Sequence, residues 1–231
     1  MEPRNPLAEH PVVRDAASMS DLIHDYGMIP FFANPVPGFS IEEHTPRDCW
    51  FTSDNLGPWD WKIDCIQTGD IAYGKFLWGG KAAFATVEVY RELVNWRRSL
   101  PKNIPTDDQQ VILDMLCEQG SLTVTDVRKR LGIPKGKADA LLARLQMQGR
   151  VVTGDISRVY RGPNLTYSGW QRSTFCTPEA LFEELDFPFP GFKPRVFQSE
   201  RTPEASLSFV KETVCQVCGD IPDKLLMKML G

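Results

Sequence analysis

Thr106-Asp107-Asp108-Gln109-Gln110-Val111-Ile112-Leu113-Asp114-Met115-Leu116 opens the run of sequence that decides the fold. After a break at Glu118-Gln119-Gly120, a second helical pattern follows in Ser121-Leu122-Thr123-Val124-Thr125-Asp126-Val127-Arg128-Lys129-Arg130-Leu131-Gly132. A third occupies 135–148, and Gly149 closes it before the β-like run Arg150-Val151-Val152-Thr153. Three short helices and then a hairpin is the order of a winged helix, a variant of the helix-turn-helix. The expectation is an α+β protein with a winged-helix domain over 106–175.

Charge is distributed unevenly around that unit. Between Ser121 and Phe175 ten basic residues face only Asp126, Asp139 and Asp155, a local balance of +7. The whole chain carries −4, so the remainder carries −11. A basic module on an acidic body is the electrostatic footprint of a polyanion-binding protein. The basic residues expected to meet DNA phosphate are Arg128, Lys129, Arg130, Lys135, Lys137, Arg144, Arg158 and Arg161.

At 100° per residue the third helix places Ala138, Leu141, Leu142 and Leu145 on its core side. The opposite side shows Gly136, Ala140, Ala143 and Met147, flanked by Lys137 and Arg144 on one edge and Asp139 and Gln146 on the other. This face lacks the Asn, Gln or Arg run of bidentate base readout, so binding led by backbone phosphates is expected. Its alanines equally suit packing on another domain, and that alternative stays open.

Upstream, residues 1–17 read as a loosely ordered arm and 18–100 as an aromatic-rich α+β domain. A helix through Tyr26, capped by Ser18 or Ser20, precedes an apolar edge segment at Ile29-Pro30-Phe31-Phe32. The segments 71–77 and 81–86 flank Trp78-Gly79-Gly80 as a hairpin, and a helix follows over 88–98. Residues 99–105 are the best linker, and 176–231 form a helical C-terminal extension with starts at Thr177-Pro178-Glu179 and Thr202-Pro203-Glu204.

Several classes are excluded. There is no apolar run near 18 residues and no signal-peptide pattern, so no membrane association is expected and a reducing cytoplasm is the expected home. Cys215-x-x-Cys218 is half a zinc site with no second pair, and His10, His24 and His44 lack ligand spacing. Neither a metal nor a cofactor is expected. The oligomeric state is not written in the sequence.

Pro58-Trp59-Asp60-Trp61-Lys62, Tyr73-Gly74-Lys75-Phe76, Leu145-Gln146-Met147-Gln148 and Ser173-Thr174-Phe175-Cys176-Thr177-Pro178-Glu179-Ala180-Leu181-Phe182 together resemble the bacterial AlkZ-related proteins. These are distantly similar to winged-helix DNA glycosylases that unhook interstrand crosslinks. The resemblance implies a winged-helix protein of DNA-repair ancestry that associates with duplex DNA, and, as an alternative, an N-glycosylase acting on alkylated or crosslinked bases. A further alternative is a winged helix used for protein interaction or internal packing.

The glycosylases carry a Gln-x-Gln catalytic motif early in the chain, whereas here the matching pair is Gln146 and Gln148, late in the third helix. Two residues of helix is about 200° of rotation, so the plain reading is a pair of exposed helix-end amides. A glycosylase also stacks its extruded base on aromatics near a carboxylate. Trp59, Trp61 and Tyr73 are the candidate aromatic pocket and Asp60 the candidate carboxylate, each set against an ordinary core role.

Overall fold

The computed structural model describes residues 12–52, 55–183 and 196–231. Two apolar cores organise an α+β architecture, one large and one small. The large core surrounds a three-stranded antiparallel sheet of order β1-β3-β2, formed by Met28–Pro30 (β1), Ile71–Leu77 (β2) and Lys81–Thr86 (β3). The β2–β3 hairpin turns through Trp78, Gly79 and Gly80, all at positive φ. Two glycines make that turn inexpensive. β1 lies at the sheet edge, as its proline requires.

Helices α1 (Ala16–Tyr26), α2 (Ile41–His44), α3 (Pro58–Ile66) and α4 (Val87–Ser99) complete the N-terminal unit, with α1 packed on α3. The expected caps Ser18 and Ser20 give way to Asp15. Its carboxylate accepts from the Ser18 backbone N at 2.8 Å, and the Ser18 hydroxyl accepts from the Asp15 backbone N. Val13 is fully buried, so the expected arm boundary at 17 moves back by several residues. Residues 1–11 lie outside the described part of the chain.

The smaller core gathers Ile112, Leu116, Leu122, Val127, Ala138, Leu142, Leu145 and Val151. It lies among α5 (Asp107–Gln119), α6 (Val124–Leu131) and α7 (Lys135–Met147). Thr123 starts α6 through reciprocal hydrogen bonds with Asp126, and Gly132 ends it in the left-handed region. Then β4 (Val152–Arg161) and β5 (Thr166–Cys176) form a long antiparallel hairpin, and an isolated bridge joins Leu122 to Phe175.

The segment expected as a linker is ordered instead. Pro101–Asn103 forms a 3-10 turn, and the buried Asn103 side chain donates to the Arg97 carbonyl at 2.9 Å. The C-terminal α8 (Pro178–Phe182), α9 (Pro203–Cys218) and α10 (Asp223–Leu230) belong largely to the first core. α9 packs along α4, where buried Glu92 accepts from Ser199 and Ser206 at 2.6 Å each and pairs with Arg91 and Arg201. Arg97, fully buried, donates to the carbonyls of Phe76 and Leu230 and so ties α10 to β2. No described helix is long and apolar enough to cross a membrane.

Candidate nucleic-acid interface

The expected phosphate-facing cations divide into two groups. Arg128, Lys129 and Arg130 in the last turn of α6 and Lys135 in the first turn of α7 are all exposed and make no ion pair among the described residues. They crowd around the Gly132-Ile133-Pro134 turn. Lys137 is exposed beside Asp108 at 3.4 Å, a surface pair of small worth. Arg144 is exposed and donates to the Lys102 carbonyl at 3.0 Å. Arg161 lies over the Trp170 ring at 4.4 Å near the tip of the β4–β5 hairpin.

Arg158 departs from the expectation. Its guanidinium grips Asp60 in a two-point fork, 2.9 and 3.0 Å, and reaches Asp64 at 3.3 Å. The hydrogen bonds to Asp60 hold its proton more firmly than usual. Two carboxylates thus compensate the positive charge counted on for phosphate.

Asp60 sits on the first turn of α3, whose N-terminal Pro58 follows Gly57. Gly57 is required there: its φ is +61°, and an added Cβ would lie 2.1 Å from the Cys49 carbonyl oxygen. Burial disfavours the Asp60 charge, but the bonds from Arg158 and from the Tyr167 hydroxyl (2.8 Å) outweigh it and hold the carboxyl below the usual carboxylate range. The group is therefore an anion that is already well engaged.

The aromatic trio does not converge on one space. Trp61 is buried in the large core. Trp59 donates to the Gly169 carbonyl at 3.1 Å and meets Phe31 edge-on. Tyr73 packs on Phe84, 4.8 Å between ring centres. Phe31 stacks in turn on Phe84, so Trp59 and Tyr73 are two ends of one aromatic row.

Gln146 and Gln148, read from sequence as exposed amides, are each only 2% exposed. The Gln146 carbonyl accepts from the Lys75 backbone N at 2.8 Å, capping the free edge of β2, while its amide donates to Leu142 O. Gly74 makes that approach possible, because a Cβ there would lie 2.6 Å from the Gln146 oxygen. Gln148 instead donates to Gln109 on α5 at 3.2 Å. The two amides thus serve different seams, as 200° of separation predicts. Met147, expected on the open face, is also buried.

Sequence reasoning missed Lys62. Its ammonium lies 3.7 Å from the centre of the Trp59 ring and donates to Trp59 O at 2.5 Å and to Gln171 Oε1. Burial pushes its pKa down to about 7, with Asp60 opposing that shift and Arg158 adding to it. Gln171 in turn donates to Trp59 O and to the Tyr167 hydroxyl. Tyr167 and Gln171 are four residues apart on β5 and meet across the irregular stretch of the strand at Gly169. That spacing was a visible signal; a partner on α3 was not. Also missed was the hairpin tip, where Leu165 at φ +47° is 71% exposed and Trp170 is 57% exposed.

A family model for AlkZ-related proteins matches residues 13–231, and the chain belongs to that family. Searches of curated proteins and of solved structures returned no match.

Proposed function

We propose that this member of the AlkZ-related family is a DNA-associated protein related to repair glycosylases, in which residues 106–175 act as a winged helix on duplex DNA. The order of three helices, a bridge strand at Leu122 and a two-stranded hairpin supports that reading. The observation that carries it is the cluster of exposed cations Arg128, Lys129, Arg130 and Lys135 at the α6–α7 turn, which make no ion pair among the described residues, on a chain of net charge −4. A basic turn of this kind suits backbone phosphate rather than base edges. Arg161 and Trp170 on the hairpin tip extend the contact as a wing. In this reading Asp60 and Arg158 hold the wing against the body rather than touching DNA.

The test is anisotropy with a labelled duplex over a range of salt. Each phosphate contact contributes about −0.9 to the slope of log affinity against log salt. A variant with Arg128, Lys129, Arg130 and Lys135 all changed to Ala should flatten that slope by roughly 2 to 4 and weaken unrelated sequences alike. An unchanged slope, or a wild-type protein that ignores duplex, removes the proposal.

A further inference from the structure

A cavity of about 400 Å³ lies at the turn end of the β2–β3 hairpin. Trp78 and Lys81 of the hairpin form one side, and Pro30, Phe32, Asn34 and Pro35, from the segment that leaves β1, form the other. The volume falls in the range of small-molecule pockets, roughly 300–1,000 Å³. Its polar equipment is one-sided. Asn34 is already spent: its amide donates to the Phe39 carbonyl at 2.6 Å and its oxygen accepts from Val36 N at 3.0 Å. Trp78 is half-buried, yet its indole Nε1 is sealed from solvent and has no hydrogen-bond partner. The exposed Lys81 ammonium makes no hydrogen bond or ion pair among the described residues. Both side chains are donors only. Glu42, which accepts from Ala33 N at 2.8 Å, lines the neighbouring hollow and not this one.

The Trp78 backbone is a second, independent sign. Its φ is +49°, at the first central position of a tight turn closed by Gly80 N donating to Leu77 O at 2.9 Å. Hairpin turns with positive φ there normally carry Asn, Asp or Gly. A bulky residue in that region is an outlier, and such outliers gather where ligands are held. Trp78 N donates to the Met229 carbonyl at 2.9 Å, so α10 fixes the turn from outside. We infer that this cavity binds a small carboxylic acid with a ringed apolar body. The carboxylate accepts from the indole N–H and from Lys81, whose charge strengthens the bond. The ring lies among Pro30, Phe32, Pro35 and the indole face. A ring without a head group would leave Nε1 unpaired, a neutral amide would leave Lys81 unmatched, and a bare anion would leave the apolar walls wet. The site does not rest on the DNA reading: a protein that ignored duplex would still present it.

The test follows the assigned indole N–H signal of Trp78 in ¹⁵N-labelled protein during titration with phenylacetate, phenylacetamide and inorganic phosphate. Phenylacetate should move that signal downfield to saturation, phenylacetamide should bind at least tenfold more weakly, and phosphate should not move it. Lys81→Gln should weaken phenylacetate at least fivefold. Trp78→Phe, which keeps a ring and removes the donor, should do the same when read at the Lys81 backbone amide. If Trp78→Phe melts early, Lys81→Gln and the three-ligand comparison decide the matter. Equal affinity for acid and amide, saturable movement with phosphate, an unaltered Lys81→Gln protein, or no saturable shift with phenylacetate would each overturn the inference.

Discussion

At its first two turns α7 carries Lys135, Gly136, Lys137 and Ala140 into solvent, whereas Leu145, Gln146 and Met147 at its end are buried. There Gln146 caps β2, Met147 lies against Gly231, and the following Gly149 sits against Val94 of α4. One helix thus serves two purposes. A 3.6-residue period separates the side facing its own core from the side facing away. It says nothing about a second domain arriving at one end of the outward side. The hairpin is divided too, by face rather than along its length: Arg158, Tyr167 and Gln171 of its outer half are tied to α3, while Trp170 between them and Leu165 at the turn stand exposed.

The strongest way to break this contrast is to place a cation at the closed end. Met147→Arg puts an unpaired charge beside Gly231, which also contacts the buried Arg97 guanidinium, and should cost about 3–5 kcal/mol in a urea melt. A loss below ~1 kcal/mol would mean that this end of α7 is open. Next comes the clamp between the hairpin and α3. A double-mutant cycle on Asp60→Ala and Arg158→Ala should give a coupling of about 1–2 kcal/mol, because the fork is two-pronged and only about a quarter exposed on each side. Additive losses would show that the hairpin is held by other contacts.

The Lys62 amine sharpens the same boundary through pH. Its folded pKa is depressed to about 7 by burial, so the unfolded chain binds the extra proton between that value and the ordinary lysine range. Stability should therefore rise with pH from about 7 upward and sit at its lower plateau below 7. The slope difference between wild type and Lys62→Met should stay within ~1.4 kcal/mol per pH unit, the limit for one proton. Parallel melts of the two proteins over pH 7 to 9, read by circular dichroism, would deny it. The smallest effect belongs to the open end of α7. Ala140→Arg should shift stability by no more than about 0.5 kcal/mol, since the side chain enters solvent.

Much of the architecture was legible. Alternation and glycine placed the β2–β3 hairpin, and apolar spacing placed α4 and α7 within a residue of their observed ends, while α5 runs on through Glu118-Gln119 and α6 starts three residues after Ser121. Helix α3 was harder, because Trp59, Asp60 and Trp61 read as aromatic density rather than as one helical face. What local pattern lacked altogether was tertiary pairing. Asp60 and Arg158 are 98 residues apart, and Lys62 and Gln171 are 109 apart. Charge counting therefore credited Arg158 to DNA, and rotation about α7 credited Met147 and both glutamines to solvent.

The clamp of Arg97 on the Leu230 carbonyl spans 133 residues. During synthesis the sheet emerges first, yet it stays unfinished until α9 covers α4 and α10 reaches β2. The unit from α5 to β5, built mostly from nearby contacts, has no such wait. A ribosome-bound chain halted before α9 would thus hold a settled middle and an unsettled beginning, and early release would leave the apolar flank of α4 bare to aggregation.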